Sequence, residues 1–318
     1  MIIAIAQLVA GFLFLIKGAD FLVDGSSSIA KRYKVSNLVI GLTIVAFGTS
    51  APELIVNVVS SMQGQNGLAI GNILGSNISN VLLVLGITAM IHPLEVKKNT
   101  VFKEMPLNLL ATLAVFVLAN DLLIDKVGFS LLSRADGIIL LFFFAIFLYY
   151  TFSIAKEERD VRDGIDIYSL KKSSIFVLLG IAGLSFGGDW VISGATSIAK
   201  SFGISELITG LTILAVGTSL PELVTSIVAA TKKNVDIAVG NIVGSNIFNL
   251  LWIFGVSSII SPIEFSLESN VDLLIVIGTS LLLFWALFSG KSRVIEKFEG
   301  TLFVMLYVAY IFSLFLRG

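Results

Sequence analysis

The sequence predicts an all-α polytopic membrane protein, with ten transmembrane helices arranged as two inverted five-helix repeats. Three observations lead there. The chain of 318 residues is 56% hydrophobic and only 14% charged, whereas a soluble domain carries roughly 25% charged residues. Apolar stretches long enough to cross about 30 Å of hydrocarbon recur along its whole length. The segment 41–80 is written a second time at 210–249, without a gap, at an offset of 169 and with 21 of 40 positions identical.

Hydropathy places the spans at about 2–24, 37–60, 67–91, 105–120, 133–154, 174–199, 205–230, 236–260, 272–289 and 300–316. The chain enters the first stretch directly, with no cleavage site of small residues, and the stretch is read as a span and not as a removed signal. The loops that share one side (1–2, 3–4, 5–6, 7–8 and 9–10) hold 16 of the 21 basic residues. The excess of Lys and Arg assigns that side to the cytoplasm, which puts both termini outside and the 5–6 loop inside. The chain then divides into a first five-helix repeat (1–155, containing 41–80), a charged cytoplasmic linker (156–173) and a second repeat (174–318, containing 210–249).

The similarity extends beyond the core segment. Gly18, Asp20, Gly25, Ser28 and Lys31 recur as Gly187, Asp189, Gly194, Ser197 and Lys200, and Gly86 and Pro93 recur as Gly255 and Pro262. Five spans per copy is an odd number, so the second copy must cross in the opposite direction. The flanking charges agree. Lys31-Arg32-Tyr33-Lys34 becomes Lys200-Ser201-Phe202-Gly203, while Gln63-Gly64 becomes Lys232-Lys233. Inverted repeats are a signature of secondary transporters, with the substrate near the midplane where the copies meet.

Each copy carries one glutamate, Glu53 or Glu222, in an otherwise apolar run. Thr49 and Ser50 lie four and three residues before Glu53, and Ser76 and Asn80 are four apart on the next span, so each set shares a helical face. Thr218, Ser219, Glu222, Ser245 and Asn249 repeat the pattern, and Asn72, Asn77, Asn241 and Asn246 add amides. Pro52 and Pro221 cannot donate to the carbonyls of Gly48 and Gly217. Backbone broken inside a membrane is tolerated where it lines a cavity or binds something. The small residues Gly71, Gly75, Gly240 and Gly244 are spaced for close helix contact. Lys17, Asp20 and Asp24 are read as local pairing near a helix end.

This donor set excludes several chemistries. There is no cysteine and a single histidine, His92, beside Pro93. Thiolate sites are excluded, imidazole catalysis has almost nothing to work with, no nucleophile–base pair is visible, and no cofactor or nucleic-acid partner is expected. Carboxylates, hydroxyls, amides and bare carbonyls suit a hard cation such as Ca²⁺. A carboxylate at the bilayer centre costs roughly 2.5–3.5 kcal/mol, so two of them call for a counter-charge. A Ca²⁺/H⁺ antiporter and a passive cation channel remain open on these residues.

The paired GTSAPE and GTSLPE segments, each followed by GNI-x-GSNI-x-N, resemble the repeats of the sodium/calcium exchanger family. The resemblance implies a transporter and not an enzyme, moving Ca²⁺ against Na⁺ in a lipid bilayer. It implies Glu53 and Glu222 as the main Ca²⁺ ligands. Thr49, Ser50, Ser76, Asn80, Thr218, Ser219, Ser245 and Asn249 would supply further oxygens, joined by the carbonyls of Ala46 and Ala215. Spans 1 and 6 would slide across this core. Asparagine at 249, where potassium-dependent relatives carry aspartate, points away from a potassium requirement.

Overall fold

The computed structural model describes residues 1–124, 126, 128–155, 167–203, 215–289 and 292–317. In chain order the helices are α1 (Ile2–Tyr33), α2 (Asn37–Thr49), α3 (Ala51–Met62), α4 (Asn66–Ile91), α5 (Thr100–Leu118), α6 (Arg134–Ile154), α7 (Leu170–Ser201), α8 (Leu220–Thr231), α9 (Val235–Ile260), α10 (Leu267–Phe288) and α11 (Lys297–Arg317). Among the described residues, eight helices are long and apolar enough to cross a membrane. A ninth span is formed if α2 and α3, which meet at a 48° bend, count as one. The span expected over 205–230 is described from residue 215 on, helical over Ala215–Gly217 and Leu220–Thr231, and 205–214 lies outside the described residues, as does most of the expected linker.

Large apolar side chains cover the outside, including Val9, Phe12 and Leu13 on α1 and Phe142, Ile146 and Tyr149 on α6. On a soluble protein such a surface would be an aggregation liability, whereas hydrocarbon accommodates it. The chain is a multi-pass integral membrane protein. Its centre is formed by α4 and α9, 78% and 83% buried over their most apolar stretches, against 28% for α1, α7 and α11.

Helix limits differ from those that hydropathy predicts, because hydropathy reports which residues face lipid while caps decide where helices stop. The first helix continues past residue 24 through Ser26, Ser27 and Ser28, which are buried, and ends at Lys34 in a left-handed conformation (φ 54°). The seventh begins at Leu170, ahead of the predicted 174, because the Ser169 hydroxyl accepts from the Lys172 N–H. Both helices have 32 residues, about 48 Å at 1.5 Å per residue, so they tilt through the bilayer or project beyond it.

These two helices pack along a glycine seam with seven-residue spacing: Gly11, Gly18 and Gly25 on α1, and Gly180, Gly187 and Gly194 on α7. A Cβ on Gly18 would lie 2.8 Å from the Leu184 nitrogen, one on Gly25 2.8 Å from the Ser173 carbonyl, and one on Gly11 2.9 Å from the Gly187 carbonyl. Positions advancing along α1 thus meet positions retreating along α7, and the two helices are antiparallel. They occupy equivalent places in the sequence repeat.

Two short sheets obey the same relation. β1 (Leu94–Glu95) pairs antiparallel with β4 (Val294–Ile295), and β2 (Leu131–Leu132) with β3 (Ile263–Glu264). Offsetting β1 by 169 residues gives β3, so each sheet joins one element of the first half to one of the second. Gly240 and Gly244 have the close contacts that their spacing predicts, against the Leu38 carbonyl at 2.8 Å and the Ala46 Cβ at 2.8 Å. Gly71 and Gly75 have no neighbour within 4 Å among the described residues.

The charged residues of α1 pair as expected and also reach further. Lys17 lies 3.8 Å from Asp20, while Lys232, just beyond α8, lies 2.7 Å from Asp24 and 3.1 Å from Asp20. Burial alone would lower the Lys232 pKa, but its bonds to Asp24 and Asp20 leave it raised, so the lysine stays charged at neutral pH.

Candidate cation site

The two repeat segments break at equivalent serines. Ser50 separates α2 from α3 at φ −86°, ψ 5°, and Ser219 precedes α8 at φ −89°, ψ 5°. Pro52 and Pro221 follow in the first turn of the new helix, where a missing N–H is tolerated. The carbonyls of Gly48 and Gly217 are thereby denied their usual helical donors. Glu53 and Glu222 also fall in that first turn, at the helix end whose partial positive charge favours a carboxylate. Both are buried, at 1% and 0% exposure.

The halves interlock side chain to side chain. The Ser50 hydroxyl donates to Glu222 Oε1 at 3.1 Å. The Thr49 hydroxyl donates to Asn241 Oδ1 at 3.0 Å and lies 3.4 Å from Ser245 Oγ. The Asn80 amide donates to Asn246 Oδ1 at 3.0 Å. The Ala46 carbonyl accepts from the Ser50 N–H at 3.0 Å and from the Thr49 hydroxyl at 3.3 Å. Ala215 opens the short turn Ala215–Gly217, and Thr218 follows half-buried. Asn80 and Asn249 sit in or beside π-helical stretches, Asn80–Leu85 and Phe248–Ile253, a distortion frequent at functional sites.

Several buried polar atoms have no hydrogen-bond partner among the described residues: Glu53 Oε2, Glu222 Oε2, Ser76 Oγ, Ser219 Oγ, Asn80 Oδ1, and both amide atoms of Asn249. Orphaned buried polar atoms are scarce in folded proteins, and each calls for an explanation. Most of these atoms are oxygens, and at the glutamates and at Asn80 and Asn249 they recur at equivalent positions of both repeats. Neither glutamate has a lysine or arginine partner among the described residues. Two carboxylates surrounded by hydroxyls and carbonyls form a donor set that fits a hard cation.

Sequence reasoning did not single out Asn57, Thr225 and Ser226. The Asn57 amide donates to the Glu53 carbonyl at 2.8 Å, the Asn241 amide donates to Ser226 Oγ at 3.1 Å, and Thr225 Oγ1 is buried and without a partner among the described residues. The available signal was their spacing, one helical turn after each glutamate on the same face.

The fold and this site define a class: an integral membrane protein with a buried polar site, two carboxylates among hydroxyls and amides, at the junction of two repeated segments. The profile of the family described as sodium/calcium exchanger protein matches residues 3–153 and 172–316, and the chain belongs to that family, whose members are exchangers. It is 39% identical over 301 residues to inner membrane protein YrbG of Escherichia coli K12, covering 89% of each chain. It is 32% identical over 351 residues to sodium/calcium exchanger MaX1 of Methanosarcina acetivorans, covering 97% of each. The solved structure of the sodium-calcium exchanger NCX_Mj in 10 mM Na⁺ and zero Ca²⁺ superimposes with a TM-score of 0.83 at 34% identity, over 98% of this chain and 99% of that one.

Proposed function

We propose that the protein is a secondary antiporter exchanging Ca²⁺ for Na⁺ by alternating access to one site between the repeats. In this reading Glu53 and Glu222 hold the cation. Thr49, Ser50, Ser76, Asn80, Thr218, Ser219, Ser245 and Asn249 and the carbonyls of Ala46 and Ala215 supply further oxygens. The contact that carries the reading is Ser50 to Glu222 at 3.1 Å, because it makes one site out of two distant segments. The chain would cross ten times, in inverted halves 1–155 and 174–318 with the linker 156–173 between them. The antiparallel packing of the equivalent helices α1 and α7 supports inversion. The excess of basic residues supports a cytoplasmic linker with both termini outside.

Mechanism follows from competition. A divalent ion between two carboxylates neutralises both, and Na⁺ ions at the neighbouring hydroxyls and carbonyls can do the same. The site is then expensive to leave empty within hydrocarbon, which favours obligatory exchange over uncoupled leak. The deciding experiment is Ca²⁺ uptake into Na⁺-loaded proteoliposomes, with pH and K⁺ varied independently. Uptake should require the Na⁺ gradient, saturate, and ignore K⁺. Uptake driven by a pH gradient alone would replace Na⁺ with H⁺ coupling, and non-saturating flux without exchange would indicate a channel.

The two halves are not equal in detail. Ser50 bonds to Glu222, whereas Ser219 Oγ, the equivalent hydroxyl, has no partner among the described residues. Ser50→Ala is therefore expected to weaken Ca²⁺ binding more than Ser219→Ala. A hydrogen bond to a charged group contributes about 1.5–3 kcal/mol, or roughly ten- to hundredfold in affinity. Isothermal titration of both variants with Ca²⁺ checks the order, and equal losses would refute the asymmetry.

A further inference from the structure

A second polar cavity lies away from the cation site. It has a volume of about 500 Å³, and its charged lining consists of Lys97, Lys98, Lys233 and Arg293 against Glu95 and Asp236. Four segments converge on it: the connection from α4 to α5 through β1, the turn between α8 and α9, the first turn of α9, and the connection from α10 to α11 through β4. Pairing of Leu94 with Ile295 and Glu95 with Val294, extended by the Val96 N–H donating to the Arg293 carbonyl at 2.8 Å, fixes Arg293 beside the lysine pair. Lys97 holds Asp236 at 3.1 Å. The four basic and two acidic groups leave the wall with a net positive charge.

Such a wall repels Ca²⁺, so the cavity does not belong to the cation path. A positive pocket at the ends of membrane helices suits a phosphate, whether of a lipid headgroup or free. The turn behind it connects elsewhere. Lys233 faces the cavity, while its neighbour Lys232 reaches Asp24 and Asp20 of α1. Next in line, the Asn234 amide donates to Ser27 Oγ on α1 at 3.4 Å, and its Oδ1 accepts from the Asn37 amide on α2 at 3.4 Å. Three consecutive residues thus tie the cavity to the helices that flank the cation site.

We propose that this cavity binds a phosphate-bearing anion, a lipid headgroup or a free phosphate, and that its occupancy is relayed to α1 through Lys232, Lys233 and Asn234. An anion drawn to Lys98, Arg293 and Lys233 would fix the turn, and the turn holds Asp20 and Asp24.

The test compares the full chain with a Lys98→Gln, Arg293→Gln double variant and with Lys98→Gln alone, an exposed position whose change leaves packing intact. Each is equilibrated with short-chain phosphatidylglycerol, with phosphatidylcholine of the same length, or with inorganic phosphate, and bound ligand is counted by native mass spectrometry. Phosphatidylglycerol should be retained over phosphatidylcholine, and retention should fall about thirtyfold in the double variant, since each basic residue near the surface contributes roughly fivefold. Saturable phosphate binding that falls in the variants also sustains the proposal and names a soluble source. Equal retention of both lipids with no phosphate binding, or retention untouched by the substitutions, overturns it. An unchanged thermal midpoint and unchanged Ca²⁺ uptake in phosphatidylcholine vesicles exclude unfolding as the cause of lost binding. Phosphatidylglycerol should alter uptake by the unsubstituted protein only, and an equal response in the double variant would overturn the link to α1.

Discussion

Glu53→Gln and Glu222→Gln should each abolish Ca²⁺ uptake into proteoliposomes while making the cation-free protein more stable. Glutamine keeps the volume of glutamate, and its amide oxygen can still accept the Ser50 hydroxyl that now reaches Glu222 Oε1. What it removes is a charge, buried at 0% exposure at position 222 and 1% at position 53. With one charge gone the site no longer neutralises a divalent ion. The affinity loss should be at least about a hundredfold, or about 2.8 kcal/mol at 1.4 kcal/mol per decade. The cation-free protein gains, because it no longer holds two buried carboxylates in a medium that disfavours them. Thermal midpoints measured with and without Ca²⁺ separate this from a structural role. The wild-type midpoint should rise steeply with Ca²⁺, and each variant should begin higher and respond little. A variant that keeps wild-type uptake would remove its glutamate from the site, and one destabilised equally with and without Ca²⁺ would mark a structural acid.

The glutamates were legible in the sequence because a charge in an apolar run has no ordinary explanation, and two at one position of a repeat have still less. The same holds for Thr49 and Ser50, whose spacing puts them on the glutamate face, and for Ser245, which shares a face with Asn249 on the next span; these side chains meet the other half. Asn57, Thr225 and Ser226 were passed over because asparagine, threonine and serine one turn further on can simply bond to their own helix, as Asn57 does to the Glu53 carbonyl. The unequal use of Ser50 and Ser219 could not be read from near-identical segments, since it depends on how the two backbones are offset in space. Helix ends were misjudged where buried serines and caps, invisible to hydropathy, extend α1 and α7. Lys232 was assigned to its loop by charge, but its bonds to Asp20 and Asp24 join positions more than 200 residues apart, a relation that no local pattern encodes.

Gly180→Val should cost the protein both stability and transport, although residue 180 touches no cation ligand. A Cβ there would fall 2.6 Å from the Leu22 nitrogen, 2.7 Å from its Cβ and 2.8 Å from its Cα. Two of these three atoms are helix backbone and cannot swing aside as a side chain would. The helices must separate, and the glycine seam has seven-residue spacing, so separation at one rung strains those at Gly11–Gly187 and Gly25–Ser173. Overpacking of this kind typically costs about 1–3 kcal/mol, and a rigid seam puts Gly180→Val at or above the upper end. Gly188→Ala is the control on the same helix. Its nearest described atom is Pro221 Cγ at 3.8 Å, an ordinary contact, and the equivalent position of α1 is already alanine, Ala19. Thermal midpoints in detergent and Ca²⁺ uptake in vesicles should therefore fall for Gly180→Val and stay near wild type for Gly188→Ala. If Gly180→Val lost transport but kept its midpoint, the seam would matter for movement of the pair and not for its assembly. If both variants behaved as wild type, α1 and α7 could not be as close as 2.6 Å implies. The antiparallel contact that supports inverted halves would then lose its footing.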